Sequence, residues 1–166
     1  LKVLQDKVAA TEAELIQLHK ELDNASALAR HDPLTDALNR KGLDEVLVRE
    51  IASMRRKATA LSLSLLDIDN FRSINHEFGH LAGDAVLGEI VERLRQSLRT
   101  NDLLGRFGGD EFLLLCPGVG PRIAATIAGR GLEGIAAEPV RYESRTIPVT
   151  VRMGVACAQS KALGTL

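Results

Sequence analysis

Asp110 and Glu111 follow the pair Gly108-Gly109 in the run Arg106-Phe107-Gly108-Gly109-Asp110-Glu111-Phe112, and the apolar Leu113-Leu114-Leu115-Cys116 comes next. Two glycines between strand-like segments predict a two-residue hairpin, where positive φ and the lack of a Cβ leave room for a ligand. Carboxylates at such a tip repel phosphates unless a divalent cation stands between them. The competing reading is a hairpin whose acidic residues are only solvated. A second pair, Asp67 and Asp69, leaves the end of the apolar run 60–66, on one side of the chain if the extended period of two persists. Like charges so placed resist joint ionisation, and a divalent metal removes the conflict. Asn70 reads as a cap of the turn that follows.

Further polar groups follow in the segment 74–84. Asn75 and Asp84 offer an amide and a carboxylate suited to the mixed donors and acceptors of a purine edge, although Asp84 also fits the first turn of a helix. His80 has no second His or Cys at ligand spacing, which argues against zinc. Arg99 and Asp102, at i and i+3, form either a local surface pair or part of a binding site.

The elements that position these groups are legible from periodicity. Residues 1 to about 30 hold no Gly or Pro, and two interleaved series mark one helical seam: Leu1, Val8, Leu15, Leu22 and Ala29 with Leu4, Thr11, Leu18 and Ala25. This heptad pattern predicts a dimeric coiled coil, the alternative being a single amphipathic helix packed on the domain. Pro33 disfavours helical geometry at Asp32, which sets the boundary between a coiled-coil segment, 1–31, and a globular domain, 32–166. A helix with Leu43, Val46, Leu47, Ile51 and Met54 on one face ends in Arg55-Arg56-Lys57, matched to the helix dipole. After the central strand 60–66 comes a helix burying Val86, Leu87, Ile90, Val91, Leu94 and Leu98. The hairpin is next, then a glycine-weakened helix over 122–136 around Ile123, Ile127 and Ile135, and strands at 140–142 and 147–156. Helices alternating with strands imply an α/β or α+β fold, helices on a mixed sheet, with a split βαβ, ferredoxin-like layout.

The 166 residues are 45% hydrophobic, enough for one domain with a core. With 21 basic and 22 acidic residues the net charge is −1, and aromatics make up 3%, so neither an electrostatic nucleic-acid binder nor a base-stacking platform is expected. No run approaches a membrane span and the start does not resemble a signal peptide. Cys116 and Cys157 lie in apolar runs and read as reduced thiols, consistent with a cytoplasmic setting. The chain opens mid-helix without a methionine, so a sensory or membrane-bound region upstream is compatible with it.

In order along the chain stand Asp32-x-Leu-Thr-x-x-x-Asn39-Arg40, Asp67-Ile-Asp69-x-Phe71-x-x-Ile-Asn75, Gly79-His80-x-x-Gly83-Asp84-x-x-Leu87 and Arg106-x-Gly-Gly-Asp-Glu-Phe112. From about residue 31 to 157 the chain resembles the GGDEF domains, diguanylate cyclases whose fold resembles the palm of polymerases and nucleotidyl cyclases. The resemblance implies Mg²⁺ or Mn²⁺ held by Asp67, the carbonyl of Ile68 and Asp110, with Glu111 assisting at a second metal. It places the triphosphate against Gly108 and Gly109, and Asp110 where the family's proposed general base lies. Asn75 and Asp84 are implied to read guanine, with His80 near the nucleotide and Phe71 and Leu87 lining the pocket. Arg72, where the family usually has Lys, keeps a positive charge for phosphate. The implied reaction joins two GTP into cyclic di-GMP with loss of pyrophosphate. It requires two domains face to face, hence a homodimer through the coiled coil, commonly under an upstream sensor. Arg99-Thr-Asn-Asp102 falls where the family has its inhibitory product site, with Arg130 as an auxiliary arginine; a catalytically retired receptor of cyclic di-GMP, or a dimerisation relay, is the alternative function.

His76 departs from the family pattern, which has Asp after Asn75. The family's long C-terminal helix and its phosphate-gripping segment are also missing. Lys161-Ala-Leu-Gly164 resembles a remnant of that segment's end, with Thr165 where Arg is expected. Either residues are absent between Ser160 and Lys161 or the domain is truncated, which would expose a sheet face and remove phosphate contacts.

Overall fold

The protein is described here by a computed structural model covering residues 2–160. The expectations for Lys161–Gly164 and Thr165 lie outside the described residues. Helix α1 spans Lys2–Leu28, and its seam residues Leu4, Val8, Leu15, Leu18 and Leu22 are exposed. The helix does not bury that seam on its own domain, which removes the packed-helix alternative. No described helix is long and apolar enough to cross a membrane.

A short strap, residues 29–39, joins α1 to α2 (Arg40–Lys57). Asn39 caps α2 by accepting from the Gly42 amide, and Ala58 ends it in the left-handed region at φ 50°. Then come β1 (Ala60–Ile68), α3 (Phe71–Phe78), α4 (His80–Ser97), β2 (Leu103–Arg106), β3 (Glu111–Pro117), α5 (Pro121–Ala137), β4 (Val140–Tyr142), β5 (Arg145–Ile147) and β6 (Val151–Gln159).

The main sheet has the order β2-β3-β1-β6. Its pairings are all antiparallel, not mixed as expected. The reason lies in the split βαβ layout. The crossover through α3 and α4 makes β1 and β2 parallel in direction, but β3 inserts between them, so no parallel neighbours meet. The α+β, ferredoxin-like expectation stands.

One sheet face packs on α4 and α5. Leu66, Ile68, Phe112 and Leu114 meet Val86, Leu87, Ile90, Val91, Leu94 and Ile135 there, all nearly inaccessible to water. Two serines on this face are buried, and Ser62 Oγ donates to the Val119 carbonyl at 2.7 Å. Gly131 on α5 lies against Leu94 and Ser97, with room for no more than a slight shift if a Cβ were added. The glycine that weakens α5 as an isolated helix thus lets it approach α4. Ile123, expected in the core, is 55% exposed. On the other face α2 covers Leu61 and Leu115, with Leu43 filling the space above Gly105. Leu65, in the middle of β1, remains 44% exposed on that side.

The expected strand 147–156 is two strands. Pro148 has no amide hydrogen for a ladder, so the chain leaves the β4–β5 hairpin there and restarts as β6 beside β1. Residues 71–78, for which the sequence periodicity predicts no helix, form α3, entered at Asn70 with φ 55° and left at Gly79 with φ 92°. Asn70 does begin the helix, but through its backbone, since its side chain makes no capping bond.

Candidate active site

The topology brings both acidic motifs to one end of the sheet. Asp67 on β1 stands opposite Glu111 on β3, and the Ile68 amide donates to the Asp110 carbonyl at 3.2 Å. This backbone link fastens the hairpin tip to the end of β1. The hairpin loop, residues 107–110, is four residues long rather than two. Phe107 and Gly108 amides donate to the Glu111 carbonyl at 2.8 and 3.3 Å. Neither Gly108 nor Gly109 has positive φ. Their value here is space: the Glu111 carboxylate folds over Gly108, and nothing lies near where a Gly109 Cβ would be. The backbone at Gly109 is therefore open to a ligand.

Arg106 holds this loop to the strap. Its Nη1 reaches both Asp32 oxygens at 3.2 Å, and its Nε and Nη2 donate to the Gly109 carbonyl at 3.2 and 2.6 Å. Partial burial pushes the Asp32 carboxyl up, yet the hydroxyl and amide of Thr35 and the Arg106 guanidinium outweigh it and hold the group below its ordinary range. Arg40, at the start of α2, stacks over the Phe107 ring at 4.9 Å. Sequence reading missed both contacts. Their only signal was the position of Asp32 and Arg106 within separate motifs.

At the other side of the sheet end, β6 contributes Arg152, also unforeseen. Its Nη2 donates to Asp67 Oδ2 at 2.7 Å, and its Nε lies 2.7 Å from Asp69 Oδ1. Thr150 Oγ1 donates to Asp69 Oδ2 at 2.8 Å. An arginine inside an otherwise apolar alternating run, Val151 to Ala156, was the sequence signal available.

Asn75 on α3 packs against Gly83 on α4, the residue before Asp84. A Cβ on Gly83 would collide with the Asn75 amide and touch Phe71, so Gly83 makes the room in which Asn75 sits. Asp84, His80 and Arg72 are exposed, Phe71 and Asn75 are half-buried, and Leu87 is fully within the core. Leu87 thus supports the site from behind.

Carboxylates and a backbone carbonyl make an all-oxygen donor set, the chemistry that suits Mg²⁺ or Mn²⁺. Among the described residues no three His, Cys, Asp or Glu side chains are gathered as a metal-binding group. Asp67 and Asp69 instead share Arg152.

Arg99 and Asp102 lie away from this end, after α4. Arg99 Nη2 contacts Asp102 Oδ1 at 2.7 Å and the Arg99 amide donates to Asp102 Oδ2 at 2.9 Å. The local pair of the simpler reading is formed, with Asp102 buried. Its hydrogen bond raises the Arg99 pKa still further. Arg130 on α5 donates to the Ser97 carbonyl at 3.0 Å, which brings it to the same end of α4. Beside them a concave space of about 670 Å³ is lined by Arg99, Asp102, Arg95, His31 and Leu104.

Residues 29–164 match the family model described as "Diguanylate cyclase, GGDEF domain". The chain is 36% identical over 164 residues to the diguanylate cyclase DgcP of Pseudomonas aeruginosa, covering 99% of this chain and 24% of that protein. It thus spans about a quarter of that relative's length. Among solved structures it is similar to diguanylate cyclase SiaD of Pseudomonas aeruginosa in complex with its activator SiaC. That match has a TM-score of 0.76 and 34% identity, over 95% of this chain and 61% of the other. The coiled coil and GGDEF domain of DgcB from Caulobacter crescentus, in complex with c-di-GMP, superposes with a TM-score of 0.81 at 26% identity, over 94% and 83% of the two chains. Family model, sequence and fold agree, and the chain belongs to the GGDEF domain family of diguanylate cyclases.

Proposed function

We propose that this domain condenses two GTP molecules into cyclic di-GMP as a homodimer held by α1. The observation that carries the reading is the placement of Asp67, Asp110 and Glu111 at one sheet end by the strand register and the Ile68–Asp110 backbone bond. In each of two steps a 3′-oxygen bonds to the partner nucleotide's α-phosphorus, the bond to the β-phosphate oxygen breaks, and pyrophosphate leaves with that electron pair. The 3′-hydroxyl proton passes to a base, the role assigned to Asp110. Asp67, the Ile68 carbonyl, Asp110 and Glu111 would hold Mg²⁺ or Mn²⁺, which when bound neutralises phosphate charge and polarises the reacting phosphoryl group.

The chain's own residues do the rest. The open backbone at Gly109 lets phosphates lie close, with Gly108 next to it under the Glu111 carboxylate, and Arg72 and His80 supply polar contacts near the nucleotide. Asn75 and Asp84 select guanine. Each domain binds one GTP, so the exposed seam of α1 has the task of raising the local concentration of a second domain. Arg99, Asp102 and Arg130 form the product site that restrains the enzyme. GTP as substrate suits a cytoplasmic position, with a sensor upstream setting the geometry of α1.

The test is product analysis after incubating the dimer with GTP and Mg²⁺. Cyclic di-GMP from the wild type, more from Arg99→Ala, and none from Asp67→Asn is the expected outcome. No product from either of the first two would overturn the reading. A second reading, a receptor that binds cyclic di-GMP without making it, is favoured by the space of about 670 Å³ beside Arg99 and Asp102. Calorimetry showing no binding of cyclic di-GMP would eliminate it.

A further inference from the structure

Arg152 is a charged side chain at the acidic sheet end that takes no part in the condensation chemistry. Arg152 stands on β6 directly across the ladder from Asp67, so the strand register and not a chance rotamer puts it there. Its guanidinium spans two carboxylates, with 2.7 Å to Asp67 Oδ2 and 2.7 Å to Asp69 Oδ1. The second oxygen of Asp69 is taken by the Thr150 hydroxyl at 2.8 Å. Meanwhile the arginine itself is 74% exposed. It is a cation clamped on acidic groups at the sheet end, yet free to swing into solvent.

We propose that Arg152 is a built-in counter-cation that a divalent metal must displace from Asp67, so that it sets the metal concentration at which the site assembles. The inference rests on the reading of Asp67 as a metal ligand given above. A carboxylate oxygen that accepts a charge-assisted hydrogen bond from a guanidinium is not available to a metal in that direction, and a divalent ion beside a guanidinium adds like-charge repulsion. Metal binding and the Arg152 clamp are therefore mutually exclusive at Asp67 Oδ2. While the clamp is closed, the guanidinium charge offsets the repulsion between Asp67 and Asp69. Once a metal enters, Arg152 is released to the open edge of β6. Exposed ion pairs are individually weak, so the expected cost to metal affinity is about tenfold rather than many orders.

Mn²⁺ binding, read from the loss of the free-ion electron paramagnetic resonance signal in nucleotide-free protein, tests this without relying on turnover. Arg152→Ser is expected to bind Mn²⁺ about tenfold more tightly than the wild type, since the clamp is gone. Arg152→Lys, with a point charge unable to span both carboxylates, should fall between them. Adding Asp67→Asn to Arg152→Ser should abolish the gain. In the wild type, the Arg152 Nε–H nuclear resonance should shift on Mg²⁺ titration with the same Mg²⁺ dissociation constant that competition against Mn²⁺ gives. Equal Mn²⁺ affinities, weaker binding by Arg152→Ser, a gain that survives Asp67→Asn, or an unmoved Arg152 signal would each overturn the proposal. Circular dichroism confirms that the variants fold. Cyclic di-GMP formation is scored separately, so a domain that shows the metal shift but makes no product retains this inference and loses the condensation reading.

Discussion

Removing Arg106 should loosen the signature loop and destabilise the domain together. Arg106 and Asp32 side chains are 17% and 16% exposed, so this is a pair mostly withdrawn from water. Breaking a fully buried pair costs about 3–5 kcal/mol, because the remaining charge is stranded. An exposed pair is worth about 0–1 kcal/mol. In Arg106→Ala, Asp32 would keep its two bonds from Thr35, but the Gly109 carbonyl would lose both of its guanidinium donors. Between those limits the expected loss is about 2 kcal/mol. For a chain of this size that lowers Tm by about 6 °C, and the urea midpoint by about 1 M. Arg106→Lys should recover less than half, because one ammonium cannot span Asp32 and Gly109 together. The assay is urea unfolding of Arg106→Ala, Asp32→Asn and the double variant. A cycle with strong non-additivity is expected, since the residues share one network. Arg106→Ala within about 0.5 kcal/mol of wild type, or strict additivity, would refute the argument. The amides of Phe107 and Gly108 should also exchange faster in the variant, measured by hydrogen exchange.

Other outcomes are expected from the same structure. Gly105→Ala would drive a methyl into Leu43, and urea unfolding should show a loss of about 1–3 kcal/mol. Gly83→Ala should evict the Asn75 amide from its place and raise the GTP KM about tenfold, measured by product kinetics, with little change in the circular dichroism spectrum. Burial pushes the Cys116 thiol up to about 12, so native protein at pH 8 should yield one reactive thiol, Cys157, to a disulfide reagent and two in urea. Because the Asp32 carboxyl is held below its ordinary value of about 3.9, its stabilising contribution is complete above that pH and lost as pH falls through its lower folded value. Acid titration of stability should show that loss in the wild type and not in Asp32→Asn.

Much of the frame was legible because local and global preferences agree. The 3.6-residue period of Val86 to Leu94 and the apolar run 60–66 each specify a local state that the packed sheet then uses. What escaped depends on partners distant in sequence. Arg152 and Asp67 are 85 residues apart and Arg106 and Asp32 are 74 apart, and no local period encodes either pair. The helix α3 escaped because it is only 8 residues long, too short for a period to declare itself. Pro148 was visible, and its missing amide hydrogen should have split the strand 147–156. The glycine pair misled in a different way. Its adjacency suggested a two-residue turn, whereas the loop is wider and the glycines make space for a carboxylate and an approaching ligand.

The two borders of the main sheet are finished differently. Along β2, the strap lays Leu38 beside Gly105 in a parallel bridge, and its backbone exchanges bonds with Leu104 and Arg106 at 3.0 and 2.7 Å. That border is closed to any further strand. On the opposite border, β6 runs for 9 residues and, among the described residues, pairs only with β1. Its outer amides and carbonyls form a long template for intermolecular pairing, and Gly154, Ala156 and Ala158 give it little side-chain bulk to keep another strand away. Self-association by strand addition, growing with concentration and with loss of the Arg152 charge, would therefore begin at β6 and not at β2.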